Sequence, residues 1–263
     1  MEWLLTDGSV LAQSGANWSN WYRYVPDAKG NYSNGTWSQV ASTQSGYGPL
    51  YFAADVLADG RLAISGGEYN SPGNGYDLQL TNQGSVYDPI KNTWTPLGHP
   101  KKWSFIGDSP STVLPNGNML VGDKLHNWDA YVNPKTLAWK NVGDAGKSDF
   151  NAEEGWTLLP NGTILTADVE NAPNSEIYNP ATGRWKSAGS TIVDLHSPSP
   201  YGCLMYGPGL CYYPPGEIGP SILRPDGTVF YTGSYSTSGP GHTAIYNTVS
   251  GKWKVGPDFP NGD

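Results

Sequence analysis

The sequence predicts an all-β protein, a β-propeller made of four-stranded antiparallel blades. The first observation is a hairpin unit that recurs five times within the 263 residues. In each copy, two short apolar strands flank an Asp-Gly or Asn-Gly turn, whose residues both tolerate a positive φ. Apolar and polar residues alternate along the second strand, which indicates a strand with two different faces. The copies span residues 4–13, 56–65, 113–122, 157–168 and 222–233.

The second observation is the segment that follows each hairpin. It contains a tyrosine, usually a proline and then a tryptophan, which indicates a third strand ending at the tyrosine and a fourth beginning at the tryptophan. The first copy keeps only the end of this segment, at Trp37. Four strands in a repeat of roughly 45–65 residues are typical of a propeller blade. The complete segments run from Tyr87 to Trp94, Tyr131 to Trp139, Tyr178 to Trp185 and Tyr246 to Trp253.

The whole chain, residues 1–263, is expected to form one propeller domain with almost no helix, because no stretch repeats apolar residues at helical spacing. Its five repeats either close as a ring or form part of a longer propeller. In an open ring, we expect aromatic rings of the end blades, such as Trp253, to face water and to promote homo-oligomers. The repeats span about residues 3–40, 51–97, 111–142, 156–188 and 221–255.

The charge balance argues against two classes of partner. The net charge is −8 and only 15 residues are Lys or Arg, without any basic stripe. Nucleic acids and anionic membranes are therefore not expected partners. The sequence also contains no apolar run that approaches the length of a membrane-spanning helix.

The two cysteines point to an oxidising compartment. Cys203 and Cys211 lie eight residues apart in an insert rich in Pro, Gly and Tyr, and the sequence has no other cysteine with which either could pair. A disulfide that closes this insert is the favoured interpretation, and it predicts a secreted or extracellular protein. The alternative is a free pair in a cytosolic protein.

Three features of the repeats resemble kelch repeats: the Gly66-Gly67 pair after a second strand, the spacing from Tyr to Trp, and the blade length. The chain as a whole is similar to secreted kelch propellers related to the galactose oxidase central domain. The resemblance implies a propeller of six or seven blades, of which this chain would supply five. Only the second repeat keeps the double glycine.

The same resemblance suggests a copper-radical oxidase, which the sequence does not support. Such oxidases use a Cys–Tyr crosslink, a second Tyr and two His ligands, one of which directly follows a Tyr. None of the histidines here follows a Tyr, and the two cysteines are better explained by pairing with each other. We therefore expect no copper site. The four histidines are His99, His126, His196 and His242.

Propeller geometry predicts an acidic mouth at one end of the axis. The innermost strand of each blade begins on one face of the ring and the second strand returns to it. Residues just before the first strand and just after the second therefore lie on that face, near the axis. Many of the carboxylates occupy these positions, namely Glu68, Asp108, Asp123, Glu153, Glu154, Asp168, Glu170 and Glu217.

Aromatic residues and a histidine accompany these acids. Tyr69 and Trp156 are expected to line the mouth, His242 begins a third strand on the same side, and Tyr206 lies in the long insert that crosses this face. Aromatic planes beside carboxylates suit carbohydrates, because C–H groups stack on the rings while hydroxyls donate to the carboxylates. The sequence thus predicts a binding face for a carbohydrate or other small polar ligand. In the alternative interpretation, these acids only cap loops and keep the surface soluble.

Two further functions and one metal ion remain open at this stage. A carboxylate pair, Glu153 or Glu154 with Asp168, would suit a glycan hydrolase or lyase that uses one carboxyl group as an acid. No cofactor is expected, although the same carboxylates could hold Ca²⁺, a hard ion that prefers oxygen ligands. A third hypothesis is a structural, self-assembling propeller that associates through its end blades.

We predict that Cys203 and Cys211 form a disulfide, since they are the only two cysteines and lie in one short, turn-rich insert. Thiol labelling of the denatured, unreduced protein should then find no free thiol, and labelling after reduction serves as the positive control. Two titratable thiols before reduction would contradict the prediction.

Overall fold

The computed structural model describes residues 1–71, 79–199, 202–205, 211–212, 216–234 and 241–260, with the backbone alone for residues 204–205 and 211–212. Within these ranges the chain forms strands and a single 3-10 turn, Tyr32–Asn34. None of the described helical structure has the length and apolar character needed to cross a bilayer. The prediction of an all-β fold is confirmed.

The described strands form five four-stranded antiparallel sheets, one for each repeat, and each is called a blade. Blade 1 consists of β1 (Glu2–Leu4), β2 (Val10–Gln13), β3 (Trp21–Val25) and β4 (Thr36–Val40). Blade 2 consists of β6 (Ala53–Val56), β7 (Leu62–Ser65), β9 (Gly84–Asp88) and β10 (Thr93–Leu97), with β5 (Pro49–Leu50) and β8 (Tyr69–Asn70) as a separate ribbon. Blade 3 consists of β11 (Ser111–Val113), β12 (Met119–Gly122), β13 (Asp129–Val132) and β14 (Trp139–Asn141).

The last two blades have the same order of strands. Blade 4 consists of β15 (Thr157–Leu158), β16 (Ile164–Ala167), β17 (Asn174–Asn179) and β18 (Arg184–Ser190). The strands β19 (Leu204–Met205) and β20 (Cys211–Tyr212) form a short ribbon in the insert. Blade 5 consists of β21 (Ser221–Leu223), β22 (Thr228–Thr232), β23 (Thr243–Asn247) and β24 (Lys252–Val255).

The hairpin that joins the first two strands has one geometry in every blade. In blade 1, the amide of Gly8 donates to the carbonyl of Leu5 and the amide of Leu5 donates to the carbonyl of Ser9. The preceding Asp7 does not share the positive φ of +81° at Gly8. The prediction of a turn with two positive φ values is thus wrong. The loop is a type I turn followed by a left-handed glycine. Asp7 instead accepts the Ser9 amide with its carboxylate, which explains the acid at this position.

Apolar cores lie between the blades. Four of the core clusters each join two consecutive blades; one of them, for example, packs Leu57 and Val86 of blade 2 against Met119 and Val132 of blade 3. Among the described residues, no such cluster or hydrogen bond joins blade 5 to blade 1. The blades therefore stack in series along the chain, as propeller blades do.

The repeated tryptophan ties each blade to the one before it. Its indole N–H donates to the preceding blade in all four available cases, while its ring packs in the core between the two blades. These ring positions explain why the tryptophan recurs, because each blade needs a large, flat side chain at the contact. The bonds join Trp94 to Ala41 O at 2.8 Å, Trp139 to Gly98 O at 2.6 Å, Trp185 to Asp129 Oδ2 at 2.8 Å and Trp253 to Ser175 Oγ at 2.9 Å.

Blade 1 has no preceding blade within the described chain, and its equivalent residues face solvent. Leu4, Val10, Tyr24 and Trp37 form one row across its sheet. The side chain of Leu4 is 64% exposed and that of Trp37 is 53% exposed. The expectation that Trp253 would face water is wrong. Trp253 occupies the equivalent position in blade 5, where it packs against blade 4 and is only 9% exposed. Association of copies through an end blade stays a prediction, and blade 1 offers an apolar face for it.

The face that carries the starts of the innermost strands is called the axial face. It also carries the double glycine of blade 2, where Gly66 has a φ of +83° and Gly67 a φ of +138°. A Cβ atom on Gly66 would lie 2.4 Å from the carbonyl oxygen of Gly107, in the connection to blade 3. Glycine is thus required here for both conformation and space, and the bend directs the following residue, Glu68, towards blade 3.

We predict that Trp185→Ala lowers the free energy of unfolding by about 3–5 kcal/mol, as expected for a buried large ring. The change empties a core position and leaves the buried Asp129 without its indole donor. Trp37→Ala is the matched control, because it removes the same repeat position where the ring is exposed, and we expect about 1 kcal/mol or less. Urea denaturation of both variants measures the difference, and equal losses would show that the ring position does not carry the packing.

Candidate functional site

Charged side chains from four of the five blades meet on the axial face. The group is called the axial cluster and consists of one lysine and four carboxylates. Their meeting point lies near the propeller axis, since Glu68 of blade 2 and Glu217 of blade 5 interact electrostatically although two blades separate them. The members are Glu68, Asp108, Lys124, Glu153 and Glu217.

Lys124 is the centre of the axial cluster. Its side chain is 1% exposed, and its Nζ lies 3.0 Å from Glu68 Oε1 and also contacts Glu153 Oε1. Burial alone would lower the pKa of Lys124, but the carboxylates of Glu153, Asp108 and Glu68 raise it well above its ordinary value. The lysine therefore stays charged and partly compensates the acids around it.

Asp108 and Glu153 form a carboxyl–carboxylate pair. Burial, followed by the charge of Glu153, raises the pKa of Asp108 to about 8. Asp108 therefore holds a proton at neutral pH and can donate it in its hydrogen bond to Glu153. Burial and Glu153 likewise raise the pKa of Glu217, which lies at the exposed rim, to about 7. The cluster thus contains both charged acceptors and a protonated carboxyl group.

Two tyrosines border the axial cluster beside Glu68. The β5–β8 ribbon pairs Leu50 with Tyr69, and the Glu68 amide lies 3.0 Å from the carbonyl oxygens of both Leu50 and Tyr51. The Tyr51 and Tyr69 rings meet edge to face with centroids 6.0 Å apart. Tyr51 and Glu153 both adopt a positive φ, of +51° and +60°. Such backbone strain in non-glycine residues is concentrated at functional sites in proteins.

A second charged group lies within blade 4 and is called the Lys147 cluster. Lys147 Nζ contacts Asp149 Oδ1 and lies 2.7 Å from Glu154 Oε1 and 3.0 Å from Glu176 Oε2. The ammonium also lies 5.1 Å from the centroid of the Trp185 ring. Asp168 completes the cluster, which offers four carboxylate oxygens within 4.8 Å of one another.

Asp168 is the member of the Lys147 cluster with the least compensation. Its Oδ2 accepts a hydrogen bond of 2.9 Å from Ser148 Oγ, and its Oδ1 has no hydrogen-bond partner in the described part of the chain. Burial, together with the charges of Asp149 and Glu176, raises the pKa of Asp168 to about 7. Burial also raises the pKa of Glu154 well above its ordinary value. The binding of Ca²⁺, which the sequence left open, stays a prediction. Lys147 already supplies a positive charge to this cluster.

The structure divides the residues expected to be catalytic between the two clusters. Glu154 and Asp168 both lie in the Lys147 cluster, whereas Glu153 points into the axial cluster. Neighbours in the sequence thus serve different groups, because Glu153 adopts a left-handed backbone conformation that turns its side chain away from that of Glu154. The Trp156 indole donates to Glu154 Oε2 at 3.2 Å, so this tryptophan belongs to the Lys147 cluster and is buried.

The expected ligand-binding residues also separate. Glu68, Asp108 and Glu217 converge in the axial cluster, with Tyr69 beside them. Asp123 is buried, accepts a hydrogen bond from Leu125 N and lies 2.9 Å from His126 Nδ1 through its Oδ1. His242 Nδ1 lies 2.8 Å from Asp258 Oδ1 at the edge of blade 5. Tyr206 and the side chain of Cys211 lie outside the described residues, so their predicted roles stay predictions.

Sequence reasoning missed both lysines. Lys124 directly follows Asp123 after a second strand, and Lys147 lies in the connection to blade 4. The available signal was the excess of carboxylates at these positions, because buried acids require a nearby cation. The sequence does not indicate which lysine enters which cluster, since that depends on how the blades pack.

Comparisons with known proteins identify the fold. No protein-family profile and no curated protein matches the chain. A fungal alcohol oxidase of the AA5 family, solved in complex with copper, superposes with a TM-score of 0.67 and 16% identity, covering 98% of this chain and 53% of the oxidase. Virginiamycin B lyase from Staphylococcus aureus superposes with a TM-score of 0.60 and 12% identity, covering 99% of this chain and 70% of the lyase. The chain thus spans about half the length of the oxidase.

These similarities confirm the expected resemblance to propellers of the galactose oxidase type, and at such low identity they show the fold alone. The described axial cluster does not fit the copper site of such oxidases, because it consists of carboxylates and an ammonium and contains none of the imidazole ligands that copper takes there. Two of the histidines are engaged elsewhere. His126 is stacked against Trp128 with ring centroids 3.9 Å apart, and His242 pairs with Asp258.

We predict that Asp168→Asn stabilises the protein at pH 8 and flattens the dependence of its stability on pH. The folded pKa of Asp168 is about 7 and the ordinary value is 3.8, so the folded state holds the extra proton between these values. The stability that this bound proton gives to the folded state is therefore fully present below about pH 4 and is lost as the pH rises through 7. The other carboxylates of the Lys147 cluster oppose ionisation of Asp168 and Lys147 favours it, so we expect a gain of about 1 kcal/mol.

Urea denaturation at pH 5 and pH 8 measures this effect. Glu2→Gln, which removes an exposed carboxylate on blade 1, serves as the control and should leave the pH dependence unchanged. A loss of stability in Asp168→Asn at pH 8 would show that the ionised carboxylate is a structural requirement.

Proposed function

We propose that the protein binds a carbohydrate or another polyhydroxylated ligand at the axial cluster. The observation that carries the proposal is the convergence of Glu68, Asp108, Glu153 and Glu217, from four blades, around the buried Lys124. The arrangement joins residues of four blades, so packing within one blade does not explain it. It brings four carboxyl groups together in one small area, where Glu217 is exposed and the side chains of Glu68 and Glu153 are 16% and 13% exposed.

The chemistry of this area suits hydroxyl groups. Carboxylates accept charge-assisted hydrogen bonds from sugar hydroxyls, and a ligand that bridges them relieves their mutual repulsion. Tyr51, which is 45% exposed, and Tyr69 supply ring faces next to Glu68 on which a sugar can stack. Lys124 is buried beneath the acids and holds two of them in place, which lowers the entropy lost on binding.

We also propose that the protein acts outside the cytosol. The support is the disulfide predicted between Cys203 and Cys211, whose backbones lie close together through the β19–β20 pairing of Met205 with Cys211. No cysteine within the described part of the chain is a free thiol. A disulfide in this insert would be stable in an oxidising compartment.

A second candidate function is catalysis by the Asp108–Glu153 pair. Asp108 is protonated at neutral pH and Glu153 is its acceptor, which is the pairing of an acid and a base that β-elimination requires. Glycoside hydrolysis needs two carboxyl groups at least about 5 Å apart, which a hydrogen-bonded pair does not provide. In this scheme Asp108 is the general acid that protonates the leaving oxygen, and Glu153 is the base. The originally expected pair of Glu154 and Asp168 is less suitable, because both side chains are buried in the Lys147 cluster.

We predict that Glu217→Gln weakens glycan binding by about tenfold or more at pH 8, where the Glu217 carboxyl group is ionised, because a hydrogen bond to a charged group contributes roughly 1.5–3 kcal/mol. Glu217 lies at the exposed rim and makes no ion pair among the described residues, so the variant should fold normally. A glycan array identifies a ligand, and titration calorimetry measures the affinity of the wild type and of the variant. Glu2→Gln on blade 1 is the matched control and should bind as the wild type does.

Two outcomes separate the candidate functions. Release of reducing or unsaturated sugar that is abolished in both Asp108→Asn and Glu153→Gln supports catalysis, whereas binding without release supports a binding protein. If no glycan binds, or if Glu217→Gln binds as tightly as the wild type, the axial cluster is not the binding site.

A further inference from the structure

A groove lies at blade 3, beside its last strand, β14. Its first pocket has a volume of about 240 Å³ and is lined by Lys101, Lys102, Trp103, Trp128, Asp129 and Asp144, among others. The lysines belong to the connection between blades 2 and 3, and Trp128 precedes the third strand of blade 3. Trp128 lies in the same connection as Lys124, but no member of the axial cluster lines the groove. The two sites therefore have no lining residue in common.

Trp128 forms a fixed and accessible platform in this pocket. The ring is 38% exposed, although most tryptophans of the chain are buried or half-buried. One side of it is stacked on His126 with centroids 3.9 Å apart and an interplanar angle of 4°. His126 is in turn held by Asp123, at 2.9 Å from Nδ1 to Oδ1. A ring held in this way loses little entropy when a ligand stacks on it.

A second pocket continues the groove beyond the same two lysines. Its volume is about 390 Å³ and it is lined by Lys101, Lys102, Trp139 and Asn141. Trp139 is fixed by its indole hydrogen bond of 2.6 Å to Gly98 O and is half-buried. The groove thus has tryptophans in each of two adjoining pockets, and both pockets are lined by Lys101 and Lys102.

The lysine charges in the groove are not used for internal ion pairs. Neither Lys101 nor Lys102 takes part in any ion pair of the described residues, whereas the buried lysines of the chain contact several carboxylates. Lys102 adopts a φ of +74°, a conformation unfavourable for a residue with a Cβ atom. Asp129 and Asp144 offset this charge in the first pocket, whereas no carboxylate lines the second, so the lysines attract an anion on the side of the second pocket.

We propose that the groove binds an oligosaccharide of acidic sugars, with one sugar ring against Trp128, the next in the pocket of Trp139, and a carboxylate between them on Lys101 and Lys102. Each pocket alone can contain one sugar ring, and the pair matches a short chain. Asp144 in the first pocket offers an acceptor for sugar hydroxyls. A single-stranded nucleic acid has similar rings and anions, but its many phosphates would be repelled by the acidic surface around two lysines.

This site goes beyond the binding proposed at the axial cluster and selects a different ligand. The axial cluster presents carboxylates and would repel an acidic sugar, whereas the groove presents ammonium groups and would attract it. The two proposals therefore fail independently.

The test is titration calorimetry with a tetramer of galacturonic acid, compared with the neutral tetramer of galactose and with a single-stranded uridine oligonucleotide. We expect the acidic tetramer to bind at least about tenfold more tightly than the neutral one, and added salt to weaken its binding. Trp128→Ala and the double variant Lys101→Gln with Lys102→Gln should each weaken it by about tenfold or more. Circular dichroism checks that each variant is folded.

Matched controls exist for both side-chain types. Trp37→Ala removes an exposed tryptophan on blade 1, and Lys91→Gln removes a lysine that is 75% exposed on blade 2. Neither should change the affinity for the acidic tetramer, and Glu217→Gln should not weaken it. The proposal is overturned if the tetramer does not bind, if Trp128→Ala binds it as the wild type does, if Glu217→Gln abolishes binding, or if the oligonucleotide binds more tightly.

Discussion

The contact between the repeated tryptophan and the preceding blade is the constraint on which the structure depends. In four blades the indole ring fills the core between two sheets, and its N–H is hydrogen-bonded to the earlier blade. The ring thus fixes both the distance between consecutive blades and their relative position. All the clusters described above draw residues from more than one blade or from a connection between blades. Their geometry therefore rests on this contact.

Charge compensation within these clusters follows a common scheme. Lys124 and Lys147 are almost fully buried and each contacts two or three carboxylates. A lysine is rarely buried unless it is paired, and here the acids raise the pKa of both lysines well above the ordinary value. The acids nevertheless outnumber the lysines. Burial, followed by the neighbouring carboxylates, raises the pKa of Asp108 to about 8 and that of Asp168 to about 7, so each cluster changes its charge in the neutral pH range.

The two proposed binding sites use opposite electrostatics on one scaffold. The axial cluster exposes acids supported by a buried lysine, while the groove of blade 3 exposes lysines supported by fixed aromatic rings. Both lie where connections between strands meet, the usual position of binding sites on a rigid all-β framework. The structural neighbours, an oxidase and a lyase, show that related propellers carry different chemistry. The function of this chain therefore depends on its own side chains and does not follow from its fold.

The sequence by itself determined the fold, because the hairpin and the Tyr–Trp segment are local patterns and each repeat contains its own evidence. It also placed Glu68, Asp108, Glu153 and Glu217 near the axis, since strand ends in a propeller have a defined position. Only the tertiary structure decided how the acids divide between Lys124 and Lys147. That division depends on a left-handed residue at position 153 and on the packing of neighbouring blades. The groove was likewise invisible in the sequence, because Trp128 and Trp139 come from other segments of the chain than Lys101 and Lys102, and only the packing of blades 2 and 3 brings them together.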